Sequence, residues 1–287
     1  MPERQKILRR APRADKLNLA RDILHLLVKH GGALTLKSLF VETEKEFTPP
    51  KTEIWKWETF YEYVVFLKRL KLARVAPPIV RILEAGRSIV SCSNFAEKDL
   101  GECEKQFFKS LLFSYAPFLD FLVTGFCRGK SFQNEEELRE ISECPRRVDL
   151  LRTYMKAHQQ KDDREARAML YWGTQIGLIE FDECHKSFLI VNPRRIDSDS
   201  FLTHLFQAYN ESRDFKTRMA LIPEVRFRCC CALKISRKIF DEYLIRFSNE
   251  HPTTIELGRA SSSRTEVVKY GVIDNRNYYY YIKIVRR

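Results

Sequence analysis

The sequence predicts a mainly α fold with small β-hairpins, arranged as tandem domains. The first observation is a repeated order of elements, in which helices are followed by an aliphatic strand and a short returning strand, three times in 287 residues. The second is composition. Hydrophobic residues make up 44% of the chain and charged residues 31%, which is enough apolar material for two or three cores. With 10 glycines and 11 prolines, the chain does not have a low-complexity composition.

The repeats divide the chain into segments. We expect a basic arm over residues 1–14, followed by three domains over residues 15–95, 96–198 and 199–287. In the arm, Arg9, Arg10 and Arg13 are predicted to lie along phosphates. A solvated tail is the alternative interpretation of the same charges.

Charge is distributed unevenly along these segments. Residues 1–93 carry 18 Lys/Arg against 10 Asp/Glu (+8), residues 94–199 carry 16 against 19 (−3), and residues 200–287 carry 16 against 9 (+7). Positive ends around a slightly acidic middle indicate that the ends contact a polyanion. Ordinary surface scatter is the alternative.

The first domain is predicted to contain three helices and a ribbon. Ala20, Ile23, Leu24 and Leu27 have helical spacing, and Gly31-Gly32 should end that helix. Thr35 and Thr52 are expected to cap the next two helices. The third helix should bury a stripe made of Trp57, Phe60, Tyr61, Val64 and Leu67, and should point Lys51, Trp55, Lys56, Thr59 and Tyr63 outward. Acidic Glu58 and Glu62 interrupt the outward face, which favours a protein interface there as much as DNA.

Strands complete the first domain. We expect them at residues 73–75, 79–83 and 88–91, with turns at Pro77-Pro78 and at residues 84–87.

The second domain should begin with a long helix over residues 104–123 that Pro117 kinks or splits. Asn134, followed by Glu137, resembles a capping box at the start of the next helix. Another helix should cover residues 146–157. A fourth, capped by Asp162 or Asp163, should reach Ile176 and lead into strands at residues 178–181 and 187–191.

The third domain should begin with a helix at Ser200. Pro223 suits the first turn of a helix that ends at Leu233, and Ser236 is expected to cap the next one. Strands are expected at residues 254–257 and 278–285. Alternate tyrosines of the run 278–281 should face the core, while the others stack on a base or a partner, or simply decorate the surface.

Residues 170–191 and 223–257 carry a family resemblance. A helix, a short turn and a hairpin in this order resemble the end of a winged-helix domain, and the resemblance covers most of the chain at the level of fold. It implies helix-turn-helix units in which one helix enters the major groove and a wing touches the DNA backbone. Winged helices also assemble protein complexes.

We therefore expect a non-catalytic DNA-binding protein that acts within a larger nucleoprotein complex, with double-stranded DNA as its partner. The alternative is a winged-helix scaffold subunit that does not read DNA, and a protein partner or self-association stays open. The loop over residues 258–264 joins two arginines to three serines, which suits phosphate contacts as well as solvation. The predicted DNA-binding residues are Arg9, Arg10, Arg13, Arg226, Arg237, Lys238, Arg246, Arg259, Ser261 and Arg264.

Signals for a metal, a cofactor or catalysis are weak. None of the eight cysteines has Cys-x-x-Cys spacing, and Cys184-His185 would need distant partners to bind a metal. There is no phosphate-binding glycine loop and no Gly-x-Ser-x-Gly, and Asp214-Phe215-Lys216 is the only Asp-x-Lys. We expect no metal, no cofactor, no catalytic residue and no membrane span. The cysteines favour a reducing compartment, either cytoplasmic or nuclear (or nucleoid).

Overall fold

The computed structural model describes residues 16–47, 56–93, 99–192, 196–259, 269–274 and 277–285. Helices dominate these ranges and the sheets are small and antiparallel, which confirms a mainly helical fold with hairpins. The helices are α1 (Leu17–Lys29), α2 (Leu36–Phe47), α3 (Trp57–Arg69), α4 (Glu84–Ser91), α5 (Glu102–Phe113), α6 (Ala116–Phe126), α7 (Glu135–Ile141), α8 (Arg147–Ala157), α9 (Arg164–Gln175), α10 (Ser198–Ser212), α11 (Ile222–Leu233) and α12 (Arg237–Glu250). The strands are β1 (Ala33–Thr35), β2 (Ala73–Ala76), β3 (Ile79–Ile82), β4 (Ile179–Asp182), β5 (Ser187–Ile190), β6 (Ala220–Leu221), β7 (Ile255–Arg259), β8 (Val272–Asp274) and β9 (Asn277–Ile284).

Contacts divide the chain into two compact units. Unit 1 comprises Met1–Ser131 and Val148–Gly177, and unit 2 comprises Phe132–Arg147 and Leu178–Arg287. The boundaries expected near residues 95 and 198 do not coincide with the limits of these units, and the division into three domains stays a prediction.

In unit 1 the strands form one antiparallel sheet in the order β1-β3-β2. The preceding helix, α1, ends at Lys29, and the turn after it contains Gly31 and Gly32, whose φ angles of +78° and +90° favour glycine. Thr35 begins α2 as predicted, because its Oγ1 accepts a hydrogen bond from the backbone N of Ser38 at 3.1 Å. The apolar face of α1 is buried as its spacing predicts, and includes Leu17, Ala20, Ile23, Leu24 and Leu27.

An aromatic cluster fills the rest of the unit 1 core. Trp172 of α9 stacks on Phe66 of α3 with ring centroids 4.8 Å apart. Phe121 of α6 meets Tyr154 of α8 edge-on at 5.4 Å. Such pairs contribute about 0.5–1.5 kcal/mol each beyond burial of their area. Pro117 lies in the first turn of α6, so the predicted long helix is split rather than kinked.

No single helix in the described ranges is long and apolar enough to cross a membrane. By length and composition, α5 and α6 would pass that test as a pair, although they are bent by 85° where they meet. Four of their six phenylalanines are buried inside unit 1, and these are Phe108, Phe118, Phe121 and Phe126.

Unit 2 contains a sheet in the order β6-β9-β7, in which β8 also pairs with β9. The helices α10, α11 and α12 share a core with this sheet, in which Phe201, Phe240 and Ile282 are fully buried. The Ser236 Oγ accepts from the backbone N of Ile239, so Ser236 caps α12 as predicted. The strands β4 and β5 form a separate antiparallel hairpin.

The two larger sheets are built in the same way. Unit 1 has the order α1, β1, α2, α3, β2, β3, and unit 2 has the order α10, β6, α11, α12, β7, β9 with β8 inserted. In both sheets the last strand lies between the first and the second. The β4–β5 hairpin repeats part of this order, since Arg146, just before α8, forms an antiparallel bridge with Ser187 of β5.

Several local predictions for the first domain are wrong. Residues 84–91, expected as a turn and a strand, form α4, because Gly86 and Ile89 are buried one turn apart on a helical face. On α3, Trp57 and Tyr61 are 40% and 41% exposed, whereas Tyr63 is 2% exposed and not outward as expected. Thr52 lies outside the described residues.

Candidate nucleic-acid interface

The residues predicted to bind DNA are spread over several elements. Those outside the described residues are Arg9, Arg10, Arg13, Ser261 and Arg264. Those that the structure describes are Arg226 on α11, Arg237, Lys238 and Arg246 on α12, and Arg259 at the end of β7.

The basic residues of α12 all face acidic residues one turn further along the same helix. The ion pairs are Arg237–Asp241, Lys238–Glu242 and Arg246–Glu250, with N–O distances of 3.6, 3.9 and 3.8 Å. Because three basic and three acidic residues lie between Arg237 and Glu250, the helix has no net side-chain charge. It therefore attracts phosphate less than its basic residues alone would indicate.

Arg246 is also held by neighbouring side chains of unit 2. Its Nη2 donates to Ser198 Oγ at 3.0 Å. Its guanidinium carbon lies 4.6 Å from the ring centroid of Tyr243 and 4.5 Å from that of Phe247. Cation–π contacts of this kind stabilise the fold, so Arg246 has a structural role whether or not it touches a ligand.

Arg226, one of the predicted DNA-binding residues, lies in the interior of unit 2 and not at its surface. Its side chain is 2% exposed, and Nη1 lies 3.0 Å from Asp241 Oδ1. The other terminal nitrogen donates to the Tyr270 carbonyl at 2.6 Å. Burial raises the pKa of Asp241, which the charges of Arg226 and Arg237 oppose. Arg226 therefore ties α11 to α12, and the candidate interface is drawn without it.

Arg259 is exposed at the end of β7, beside a register shift between Gly258 and Arg259. One of its terminal nitrogens donates to Asn277 Oδ1 at the start of β9. This contact joins the ends of the two strands that flank the predicted wing.

Two arginines outside the predicted set lie opposite each other on the β2–β3 hairpin of unit 1. Arg74 and Arg81 are partners in the antiparallel register, and both are exposed. Neither has an acidic partner within the part of the chain that the structure describes. Like charges directly opposite across two strands are destabilising. We call this pair the arginine row. The sequence could have predicted this pairing, because a hairpin turn centred on Pro77-Pro78 places residue 74 opposite residue 81.

Exposed apolar side chains form a second feature of unit 1. Three of them are at least 40% exposed: Val41 of α2, and Trp57 and Tyr61 of α3. Phe40 contacts Trp57 edge-on with ring centroids 5.2 Å apart, so one edge of the indole packs on α2 while the rest is open to solvent. Rigid exposed aromatic residues are enriched at protein interfaces.

The tyrosine run Tyr278 to Tyr281 on β9 does not separate into a buried pair and an exposed pair. All four side chains are half-buried. Tyr279 packs against the core of unit 2, and Tyr280 and Tyr281 meet edge-on at 5.6 Å.

The Asp-x-Lys sequence forms a turn. Asp214 Oδ1 accepts hydrogen bonds from the backbone N of Thr217 at 2.8 Å and of Lys216 at 3.0 Å. The hydrogen bonds from Thr217 hold the pKa of Asp214 below its ordinary value. The carboxylate therefore shapes the chain before β6.

The β4–β5 turn brings metal-binding residue types together in unit 2. The ligand atoms of Cys184, His185 and Glu224 all lie within 4.8 Å of one another. Burial lowers the pKa of the His185 imidazole, but hydrogen bonds and charges from Asp182 and Glu224 outweigh it, so the pKa is raised. Glu224, in the first turn of α11, is the residue distant in sequence whose carboxylate lies beside Cys184 and His185.

No family model, curated protein or solved structure matches this chain.

Proposed function

We propose that this chain is a non-catalytic DNA-binding protein made of tandem winged-helix domains, and that it acts within a larger nucleoprotein complex. The arginine row on the β2–β3 hairpin is the observation that carries the proposal.

The order of elements supports the winged-helix part of the proposal. In both larger sheets a helix and a short strand precede two helices. Two further strands in unit 1, and three in unit 2, then complete a sheet whose last strand lies between the first and the second. In a winged-helix domain this order presents the second of the two consecutive helices beside a hairpin wing. The β2–β3 hairpin is then the wing of the first domain, and α3 is its recognition helix.

The arginine row supports a phosphate ligand for that wing. Placing Arg74 opposite Arg81 costs folding free energy, because like charges directly opposite each other on paired strands repel. An anion between the two guanidinium groups would remove that repulsion and accept hydrogen bonds from both. The helix α3 adds no net charge, with Glu58 and Glu62 against Lys68 and Arg69. Binding should therefore depend on the DNA backbone more than on base sequence.

Replacing both residues tests the proposal. The Arg74→Ala, Arg81→Ala variant should bind a mixed-sequence duplex more weakly than the parent, in fluorescence anisotropy titrations at several salt concentrations. Its log–log salt slope should fall by about one for each phosphate that the variant no longer neutralises. Its melting temperature should stay the same or rise slightly, because a like-charge pair has been removed.

Two further variants make the test specific. Lys45→Ala, Lys105→Ala removes the same charge from unit 1, but each lysine is ion-paired with a glutamate three residues earlier, at 2.8 and 2.6 Å. Its affinity should match that of the parent. Lys238→Ala, Arg246→Ala tests α12, which should matter less than the arginine row. Equal losses of affinity in the arginine-row variant and the lysine variant would mean that overall charge, and not this wing, sets the affinity.

A scaffold subunit is the second candidate, and the exposed Val41, Trp57 and Tyr61 favour it. Such residues would anchor a protein partner and need no DNA. A parent chain that does not bind duplex DNA at low salt would favour this alternative over the proposal.

A further inference from the structure

The turn between β4 and β5 is held against the start of α11 by His185. The imidazole lies parallel to the ring of Phe227, with centroids 3.9 Å apart and planes 14° apart. Its Nε2 lies 3.0 Å from Glu224 Oε1. The position of the ring is thus fixed by a residue of the same helix that supplies the carboxylate.

Asp182 orients the same imidazole from its other side. Its Oδ1 lies 2.8 Å from His185 Nδ1 and also accepts the backbone N of His185 at 2.8 Å. A carboxylate on one ring nitrogen directs the other nitrogen toward a ligand, which is the usual support of a metal-bound histidine. Here the other nitrogen, Nε2, points at Glu224.

Cys184 completes the group from the exposed side of the turn. Its Sγ lies within 4.8 Å of both His185 and Glu224 ligand atoms. Two ligands on a tetrahedral zinc ion are separated by about 3.3–3.8 Å, given bonds of about 2.0–2.3 Å. The observed spacing therefore needs only side-chain adjustments of about 1 Å. The Glu224 side chain is 42% exposed, which leaves it room to move.

We propose that Cys184, His185 and Glu224 bind a zinc ion, with Asp182 as the residue that positions His185. Sulfur and imidazole ligands favour Zn²⁺ over Ca²⁺ or Mg²⁺, which take oxygen ligands. Cys184 binds as a thiolate and His185 binds through Nε2 without its proton, so both protons pass to solvent, and water takes the fourth position. The ion would join the β4–β5 turn to α11 within unit 2. This inference does not depend on DNA binding.

Titration of the metal-free chain with Zn²⁺, against a colorimetric chelator, measures the affinity. Co²⁺ serves as a spectroscopic probe, because a thiolate-to-cobalt charge-transfer band reports a bound cysteine. The parent should take up one tightly bound equivalent and show this band. Cys184→Ser should abolish the band. Glu224→Gln should weaken Zn²⁺ binding by at least about tenfold, because loss of a ligand should cost no less than loss of an outer-shell partner does.

Cys103→Ser is the matched control, since Cys103 is also exposed but lies in unit 1. It should bind both metals like the parent. Far-ultraviolet circular dichroism checks that each metal-free variant is folded, and His185 is left intact because it packs on Phe227. A parent that takes up no tightly bound Zn²⁺, or Cys184→Ser and Glu224→Gln variants that bind it as well as the parent does, would overturn the proposal.

Discussion

Asp197 caps α10 with both oxygens of its carboxylate. Oδ1 accepts from the backbone N of Asp199 at 3.0 Å, and Oδ2 accepts from that of Ser200 at 2.8 Å. These hydrogen bonds lower the pKa of Asp197. Because the pKa is lower in the folded state, the carboxylate stabilises the fold above its unfolded pKa. That contribution is lost as the pH falls through the folded value.

We predict that Asp197→Asn lowers the melting temperature at neutral pH, because an amide keeps an acceptor oxygen but loses the charge that the helix N-terminus favours. The difference in melting temperature between parent and variant should shrink as the pH falls below about 4 and vanish once the pH is below the folded pKa of Asp197. Melting curves at several pH values measure this difference, and other carboxylates cancel because both proteins carry them. A difference in melting temperature that persists at acid pH would mean that packing, and not the charge of Asp197, causes it. Asp197→Ala should be less stable than both at neutral pH.

At the residue scale, the sequence predicts features that depend on neighbouring residues alone, such as helix caps. Thr35, Asn134 and Ser236 were expected to cap helices, and each side-chain oxygen accepts a backbone N–H three residues later. Caps depend on side chains and backbone within one turn. Arg226 could not be placed in this way, because the groups that pair with its buried guanidinium, Asp241 and the Tyr270 carbonyl, lie 15 and 44 residues away in sequence.

Gly86 sets how closely α4 approaches the sheet of unit 1. A Cβ atom at this position would lie 2.5 Å from the carbonyl oxygen of Leu72 and 2.8 Å from Cγ1 of Ile82. Neither neighbour is the far end of a flexible side chain, so α4 would have to shift.

We predict that Gly86→Ala destabilises unit 1 by about 1–3 kcal/mol, the usual cost of overpacking. Alanine is the better helix former by about 1 kcal/mol, but a contact under 3 Å outweighs that gain. Urea unfolding followed by tryptophan fluorescence reports on unit 1, since Trp55, Trp57 and Trp172 all belong to it.

Ser91→Ala on the exposed end of the same helix is the control, and should change the free energy of unfolding by less than about 0.5 kcal/mol. A Gly86→Ala variant as stable as this control would contradict the close approach.

At the element scale, the sequence failed where tertiary packing overrides local preference. The Ile89-Val90 pair between serines favours a strand, yet these residues form the end of α4 because Gly86 and Ile89 face the core. The β2–β3 and β4–β5 hairpins were predicted correctly, because turn residues lie between short aliphatic runs and both strands are adjacent in sequence. The arginine row is a consequence of the β2–β3 register. It can be predicted only by assigning each residue of β2 its partner on β3.

At the scale of the whole molecule, a mainly helical chain with small antiparallel hairpins was readable from sequence, whereas the pairing of its surface charges was not. Counting charges indicated a basic third domain, yet α12 neutralises its basic residues within one helix. In unit 1, Arg74 and Arg81 have no such compensation among the described residues. The net charge of +12 therefore says less about the interface than the pairing of individual charges does.

The salt dependence of DNA affinity tests whether the positive charge of the whole chain contacts phosphates. We predict that the intact protein binds two unrelated duplexes of equal length with affinities within about tenfold, well short of the gap of about a thousandfold or more between specific and non-specific sites. The logarithm of the affinity should fall linearly with the logarithm of salt concentration, by about 0.9 for each phosphate neutralised. Anisotropy titrations of both duplexes over one salt series measure the two quantities together.

A steep slope shared by both duplexes fits a backbone-binding wing, because counterions are released from any sequence. Strong preference for one duplex would instead indicate base contacts from a recognition helix, and affinity indifferent to salt would rule out phosphate contacts as the source of binding.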